Sequence, residues 1–263
     1  MSRALYTAAT GMQAQQMKID VIANNLANVN TDGYKQSRAE FQDLIYQNLR
    51  VAGEATSAGT ASPVGLQVGL GVRPAATVRN FQQGSLKEVQ NRLAVAISGD
   101  GFFQVRLPSG EIGYTRNGSF EIGDRGQLQT VDGHAVEPPI TLPADANLEE
   151  FTIAPDGQVT VRTVDSDRVV DLGRLRLVRL LNQGAMEAAG NNLYSYRADP
   201  RSIQESYPSE DGLGSLQQGF LESSNVEVVK EMVAMITGQR AYEANSKVIQ
   251  AADRMLEEAN RLR

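Results

Sequence analysis

The chain of 263 residues contains no cysteine and no tryptophan, and its single histidine is His134. The lack of cysteine excludes a disulfide framework, a thiol nucleophile and any metal site with cysteine ligands. With one histidine, a zinc site would need mostly carboxylate ligands, which is uncommon. Aromatic residues make up only 6% of the chain, which argues against an aromatic-lined ligand pocket. We therefore expect no metal, no cofactor and no small-molecule substrate.

The charge pattern and hydropathy pattern exclude further classes of protein. The net charge is -6 and no run of Lys or Arg stands out, so nucleic-acid binding is not expected. No stretch of about 18 apolar residues could form a transmembrane helix. The N-terminal region is rich in Asn and Gln and lacks the apolar core of a secretory signal. If the protein is exported, we expect export without a cleaved signal peptide.

Apolar residues at helical spacing occur near the N-terminus. They recur there at alternating intervals of three and four, with only Gln15 out of register, and predict a helix from about residue 3 to about residue 29. We expect this helix to stop at Thr31-Asp32-Gly33, because Gly33 can adopt a left-handed conformation. The following piece, residues 34–49, is helical or extended.

The C-terminal region carries an apolar residue at every seventh position, which predicts a second helix over residues 226–262. Ser224 and Glu227 have the spacing of a capping box, which places the start of this helix directly after them. Gly238 lies in its interior, where it either allows a close approach between helices or is a tolerated defect.

The region between the helices has a β pattern from about residue 73 to about residue 215. Short apolar runs, such as residues 93–97, 102–107 and 175–181, are separated by turn dipeptides typical of hairpins. The turns are Ser109-Gly110, Asn117-Gly118, Arg125-Gly126, Asp132-Gly133 and Asp156-Gly157. They predict an antiparallel sandwich or irregular barrel. Residues 51–72, rich in Gly, Ala, Ser and Thr, form a linker, a flexible loop or an extended hairpin.

Candidate chemical sites are few. His134 could pair with Asp132 or Glu137 in a hydrolase, but a polar residue at a hairpin turn is the favoured interpretation, and no Gly-x-Ser-x-Gly motif is present. Gly99-Asp100-Gly101 precedes a strand-like run and predicts a tight turn, not a phosphate loop. Asp165-Ser166-Asp167 lacks the remaining ligands of a calcium loop and predicts a solvated loop.

The two helical patterns instead predict contacts made in assembly. The apolar seams could pair within one subunit or between subunits, and we favour contacts between subunits that order the two ends. The predicted polymerisation contacts are Leu5, Met12, Ile19, Ile22, Leu26, Val228, Met235, Tyr242, Ile249 and Leu256. A monomeric β binding module on a helical stalk is the alternative from a different class.

Several motifs resemble those of the bacterial flagellar rod and hook proteins. Residues 23–35 read ANNLANVNTDGYK, which contains the family signature. The motif residues are Asn24, Asn25, Leu26, Asn28, Thr31, Gly33 and Tyr34. Further segments similar to the family are residues 10–12, 97–103, 114–120, 191–194, 219–222, 224–226 and 239–245. The resemblance covers essentially the whole chain. The length of the chain and the insertion at about residues 46–72 most resemble those of the distal rod proteins, with a proximal rod protein as the alternative.

The resemblance implies an α+β fold. It would comprise terminal helices paired as a coiled-coil-like inner domain, an antiparallel all-β middle domain, and an extended Gly/Ala-rich hairpin or loop. The corresponding divisions are residues 1–32, 33–72, 73–215 and 216–263. It also implies a non-enzymatic subunit of a rigid, hollow helical rod in the flagellar basal body, spanning the periplasm and transmitting torque to the hook. The implied partners are further copies, proximal rod proteins, hook or hook-junction proteins, surrounding ring proteins and the flagellar type III export apparatus.

Overall fold

The computed structural model describes residues 2–50, 64–143, 145–163, 168–197 and 199–261. These residues form two compact units. The described residues within 1–27, 37–80 and 227–263 form the first, the helical unit, and those within 28–36 and 81–226 form the second, the β unit. Two helices at the ends and an antiparallel β-rich middle make the fold α+β, as predicted. None of the described helices is long and apolar enough to cross a membrane.

The helical unit contains both long helices. Helix α1 spans Ser2–Ala27 and helix α2 spans Val228–Arg261. Strand β1 (Ser37–Asp43) pairs antiparallel with β4 (Val72–Arg79), and β2 (Tyr46–Arg50) pairs antiparallel with β3 (Leu66–Gly69). Most of the Gly/Ala-rich segment, residues 51–63, lies outside the described residues, so the extended hairpin remains a prediction.

The start of α2 corrects one prediction from the sequence. Ser224 does not cap the helix, because its Oγ accepts a hydrogen bond from the backbone nitrogen of Val226 (3.3 Å). The helix begins four residues later, and its first backbone bond runs from the nitrogen of Glu231 to the oxygen of Glu227 (3.1 Å). The segment before Val226 is held instead by a hydrogen bond from the Ser223 nitrogen to the Ser85 oxygen (2.9 Å), next to the pairing of β20 with β5.

The β unit contains sixteen strands, all of whose pairings are antiparallel in the described residues. They are β5 (Leu86–Glu88), β6 (Val95–Ser98), β7 (Phe102–Arg106), β8 (Ile112–Thr115), β9 (Phe120–Ile122), β10 (Leu128–Thr130), β11 (Ala135–Glu137), β12 (Ala146–Ile153), β13 (Gln158–Thr163), β14 (Val169–Arg174), β15 (Leu177–Leu180), β16 (Met186–Gly190), β17 (Leu193–Tyr196), β18 (Ile203–Ser206), β19 (Ser215–Gln218) and β20 (Phe220–Glu222). Nine form one sheet, in which β7 lies between β8 and β11 and also pairs with β15. β12, β13 and β14 form a second sheet, while β6 pairs with β19 and β5 with β20.

The hydrophobic core of the β unit lies mainly among these strands. The side chains of Phe103, Phe120, Phe151, Val159 and Leu175 are fully buried in it. The rings of Phe103 and Phe120 meet edge to face at 5.1 Å, an arrangement that aromatic pairs favour. A second cluster, which includes Phe102, Tyr114 and Tyr194, packs around Phe81.

Four of the five predicted hairpin turns are confirmed. Ser109-Gly110 joins β7 to β8, Arg125-Gly126 joins β9 to β10, Asp132-Gly133 joins β10 to β11, and Asp156-Gly157 joins β12 to β13. The prediction at Asn117-Gly118 is wrong, because β8 and β9 do not pair. This segment instead passes against β6, where the Val95 nitrogen donates to the Gly118 oxygen (3.0 Å).

The observed units divide the chain at points different from the proposed domain boundaries. Residues 28–36 group with the β unit, and residues 73–80 group with the helices. The second difference follows from pairing, because most of β4 lies beyond residue 72 and forms a ladder with β1. The four-part division therefore remains a prediction about function, distinct from these compact units.

Candidate functional site

Residues 28–36, here called the signature loop, are fixed within the β unit by backbone hydrogen bonds. The Gly33 nitrogen donates to the backbone oxygen of Glu222 (2.7 Å), and Asn192 Nδ2 donates to the Asp32 oxygen (3.0 Å). Gly33 has a φ of +73°, so the left-handed conformation expected there is present. A Cβ atom on Gly33 would lie 2.7 Å from the backbone nitrogen of Asn117. Only glycine meets both conditions without strain.

The signature loop ends at a buried charge cluster formed by Lys35, Arg116 and Glu222. Lys35 Nζ lies 2.6 Å from Glu222 Oε1, and Arg116 Nε lies 3.6 Å from Glu222 Oε2. The three side chains are only 1–3% exposed. Glu222 Oε1 also accepts a bond from the Gly84 nitrogen (2.9 Å). The carboxylate thus connects three segments that are distant in the sequence.

The surroundings of the two cations compensate their burial in part. Lys35 Nζ donates to the Gln82 backbone oxygen (2.7 Å), and Arg116 Nη2 donates to the Gly99 oxygen (2.8 Å). The Arg116 guanidinium also lies 5.5 Å from the ring centre of Phe102. Removal from water lowers the pKa of Lys35 and of Arg116, while the Glu222 carboxylate acts in the opposite direction. Such a cluster fixes the arrangement of segments rather than adding much net stability.

Two motif asparagines use their side-chain amides as backbone substitutes. In the helical unit, Asn25 Oδ1 accepts from the Ser37 nitrogen (2.9 Å) and Asn25 Nδ2 donates to the Ser37 oxygen (2.8 Å). In the β unit, Asn225 Oδ1 accepts from the Gln36 nitrogen (2.8 Å) and Asn225 Nδ2 donates to the Gln82 oxygen (3.0 Å). Each amide supplies one donor and one acceptor, which no aspartate could do in ionised form.

The two helices of the helical unit approach closely at glycine residues. A Cβ on Gly11 would lie 2.9 Å from Asn245 Nδ2, and a Cβ on Gly238 would lie 3.2 Å from Ile19 Cγ1. These contacts occur in opposite order along the two helices, so α1 and α2 run antiparallel. Gly238 therefore serves a close approach and is not a mere defect.

The predicted polymerisation contacts differ in exposure. Ile22 is buried, whereas Val228 and Tyr242 are exposed; half-buried are Leu5, Met12, Ile19, Leu26, Met235, Ile249 and Leu256. The buried residues of α2 are Glu231, Gly238 and Ala252, which lie four positions before members of the predicted seam. Of these three, the sequence indicated only Gly238, because a pattern of large apolar residues does not include Glu231 or Ala252.

The motif residues around the signature loop also vary in burial. Asn25 and Gly33 are buried, Asn24 is exposed, and half-buried are Leu26, Asn28, Thr31 and Tyr34. Thr31 Oγ1 donates to Asn28 Oδ1 (3.2 Å), which stabilises the turn that follows α1. Sequence reasoning did not identify the charge cluster. The available signal was that Lys35, Arg116 and Glu222 each lie inside a family-like motif without an evident chemical role.

A further surface that sequence reasoning missed lies on the first turns of α2. Val229, Met232, Val233 and Ile236, here called the α2 stripe, are 50–68% exposed. Their spacing of three or four residues brings them to one side of the helix. A contiguous exposed apolar surface of this kind marks an interaction site.

The remaining chemical candidates show no catalytic arrangement in the described part of the chain. His134 lies in the turn between β10 and β11, where its backbone nitrogen donates to Thr130 Oγ1 (3.2 Å). The described residues hold no group of acidic or histidine side chains suited to a metal ion. A groove of about 630 Å³ near the β9–β10 turn has Asp124 and Arg125 as its only charged lining residues. Gly99-Asp100-Gly101 forms the expected turn before β7, and Asp165-Ser166-Asp167 lies outside the described residues.

Comparison with protein families gives three matches along the chain. Residues 5–35 match the flagella basal body rod protein model, which includes most of α1 and the signature loop through Lys35. Residues 96–161 match the flagellar hook protein FlgE/F/G D1 domain, and residues 217–262 match the flagellar basal body rod FlgEFG protein C-terminal model. The matches therefore include most of α1, the whole of α2 and all three members of the charge cluster.

Whole-chain relatives agree with these matches. The chain is 46% identical over 263 residues to the flagellar basal-body rod protein FlgG of Borreliella burgdorferi, covering 100% of this chain and 99% of the relative. It is 45% identical to FlgG of Caulobacter vibrioides over 99% of both chains, and 36% identical to FlgG of Bacillus subtilis over 98% of both. The chain belongs to the flagellar basal-body rod protein family, as a non-enzymatic structural subunit of the distal rod type.

Proposed function

We propose that the chain polymerises head to tail into a rigid, hollow helical rod that transmits torque from motor to hook and carries an export channel. The proposal adds a mechanism to the family assignment. Contacts that repeat head to tail without closing produce a helical filament. The α2 stripe carries the proposal, because a helix that already packs against α1 still presents apolar side chains to solvent.

The helical unit supplies the assembly contacts in this proposal. Its helices pair in a coiled-coil-like manner and line the inner wall of the rod, as the family resemblance suggests. The Gly/Ala-rich insertion forms an extended hairpin that adds contacts between neighbouring subunits. The predicted contacts, from Leu5 to Leu26 on α1 and from Val228 to Leu256 on α2, are then completed by neighbouring copies.

The proposed setting is the basal-body rod where it spans the periplasm. The partners are further copies of this chain, proximal rod proteins, hook or hook-junction proteins and the surrounding ring proteins. The proposed route is the flagellar type III export apparatus, without removal of a signal peptide. Membership in the flagellar basal-body rod protein family supports this setting.

Sedimentation of the full-length chain over a range of concentrations tests the proposal. We expect concentration-dependent assembly of the native chain and elongated particles by negative-stain electron microscopy. Val233→Asp should remain folded, since Val233 is exposed, but should fail to assemble because a charge would be buried without a partner. Lys247→Asp, a change on the polar continuation of the same helix, is the matched control. A native chain that stays monomeric throughout would favour the β binding module on a helical stalk.

A further inference from the structure

The α2 stripe lies on the side of α2 that faces away from α1. The buried residues Glu231, Gly238 and Ala252 recur at multiples of seven and mark the side packed against α1. At about 100° per residue, Val229, Val233 and Ile236 point to the opposite side. Arg240 continues this side and is exposed. Beyond it this side carries the exposed charged residues Glu243, Lys247 and Arg254, so the α2 stripe itself ends at Ile236.

A second surface of the helical unit has the complementary character. A groove of about 350 Å³, here called the interhelical groove, is lined by Met12, Gln13, Gln16, Met17, Asp20 and Tyr242. Met17 and Tyr242 are 39% and 40% exposed, so the groove offers accessible apolar walls. Its polar lining residues are Gln13, Gln16 and Asp20, of which Asp20 carries a carboxylate. Gln16 Nε2 donates to Asp20 Oδ1 (3.0 Å), which holds the carboxylate in place.

We infer that the α2 stripe of one copy docks in the interhelical groove of the next copy. The inference deepens the proposed function and rests on it. The occupant is a second copy because a single helical unit cannot present the stripe to its own groove. The stripe lies on the far side of α2, whereas Tyr242 lines the groove beside α1. Two different surfaces in contact give a heterologous, repeating interface.

Charge complementarity sets the register of this contact. Arg240 follows the stripe by one helical turn, and Asp20 lines the groove. A carboxylate accepts several hydrogen bonds, so Asp20 can bind a guanidinium while it also accepts from Gln16. With the apolar side chains of the stripe in the groove, Arg240 of one copy pairs with Asp20 of the next. The interface then has an apolar centre and a charged edge, as protein interfaces commonly do.

The absence of cysteine from the chain permits a direct test by crosslinking. Gln13→Cys places a thiol in the groove, and Val233→Cys places one in the stripe. A mixture of the two full-length variants, oxidised at a concentration at which the native chain assembles, should give a disulfide-linked dimer. Each variant alone should give little. Gln13→Cys mixed with Lys247→Cys is the matched control and should also give little.

A charge exchange tests the register independently. Asp20→Lys and Arg240→Glu should each raise severalfold the concentration needed for half-maximal assembly, and the double variant should recover most of the loss. Native assembly without the crosslink, or without recovery in the double variant, would overturn the inference and leave the proposed function standing. A native chain that does not assemble at all would contradict the proposed function and the inference with it.

Discussion

Lys35 Nζ donates a 2.6 Å hydrogen bond to Glu222 Oε1 across 187 positions of sequence, and both side chains are almost fully buried. Arg116 completes the charge cluster from a third segment. A buried carboxylate between two cations cannot be removed without leaving both uncompensated. The β unit should therefore be unusually sensitive to changes at these positions.

Replacement of Glu222 by Gln should lower the free energy of unfolding by about 3–5 kcal/mol, because Lys35 and Arg116 would remain buried without an anion. Urea unfolding followed by far-UV circular dichroism measures the loss. The matched control is Glu137→Gln, which disrupts the more exposed pair of Glu137 with Arg106 (2.8 Å). That change should cost no more than about 1 kcal/mol. Equal effects of the two substitutions would contradict the role of the cluster.

The pH dependence of stability should differ between the native chain and Lys35→Met. Burial lowers the pKa of Lys35 in the folded state below its ordinary 10.5. Between the lowered pKa and 10.5, the unfolded chain binds more protons at this residue than the folded chain, so stability rises with pH. The difference in free energy of unfolding, native minus variant, should increase across this window.

Subtracting the stability of the variant also cancels an opposing contribution to the pH dependence, which comes from Tyr114. The pKa of Tyr114 is raised above 10.0, mainly by burial, so this residue lowers stability as pH rises past that value in both proteins. Taking the difference removes it. A difference that stays flat up to pH 10.5 would mean that Lys35 titrates normally in the folded chain.

Gly33→Ala should destabilise the β unit more than Gly133→Ala. Both glycines have positive φ, of +73° and +84°, so both substitutions carry the left-handed cost of about 1–2 kcal/mol. Only at Gly33 would the new Cβ meet backbone, 2.7 Å from the Asn117 nitrogen, whereas nothing lies within 4 Å at Gly133. The crowding should add about 1–3 kcal/mol. Thermal unfolding of the two variants isolates this contact, and equal midpoints would show that Asn117 moves freely.

Asn25→Asp should destabilise the helical unit. The aspartate keeps the acceptor for the Ser37 nitrogen but replaces the donor to the Ser37 oxygen with a second acceptor. A buried hydrogen bond lost in this way costs about 1–3 kcal/mol. Gln13→Ala, at an exposed position of the same helix, is the control and should change little. Chemical unfolding monitored by the helical circular dichroism signal measures the stability of both variants. A stability of Asn25→Asp equal to that of the native chain would show that the Asn25 amide does not stabilise the helical unit.

Ile22→Asp should block polymerisation while the β unit stays folded. Ile22 is 5% exposed in the helical unit, so the charge would be buried without a partner. Ile249→Asp, at a half-buried position of α2, should act in the same direction but more weakly. Sedimentation gives the degree of assembly, and resistance of the β unit to protease shows that it remains folded. Normal filaments from Ile22→Asp would remove this residue from the assembly contacts.

The elements that could be predicted from sequence are those set by local patterns. Helical periodicity predicted the ends of both helices to within a few residues. The glycine-containing turns predicted four hairpins, because the need for a positive φ is local. The hairpin prediction at Asn117-Gly118 failed because residues beyond the dipeptide decide which strands pair. The prediction at Ser224 failed for a similar reason, since hydrogen bonds from Ser223 to Ser85 and from Asn225 to Gln82 hold that segment outside the helix.

The candidate site was less predictable because it depends on distant pairings. Lys35, Arg116 and Glu222 are charged residues of the kind that usually remain at the surface, and nothing local indicates their burial. The seam of α2 was predicted from its large apolar residues. The side that packs on α1 includes Gly238 and Ala252, whose value lies in their small size, and the apolar α2 stripe faces outward.

The ion pair of Lys35 with Glu222 also limits how early the β unit can finish folding. A chain that emerges from its N-terminus exposes the lysine long before its carboxylate partner, which follows 187 residues later. Loop closure over such a separation slows folding. Until residue 222 has emerged, the β unit lacks both the carboxylate for Lys35 and the acceptor for the Gly33 nitrogen. A chain that has emerged only in part therefore cannot complete its β unit.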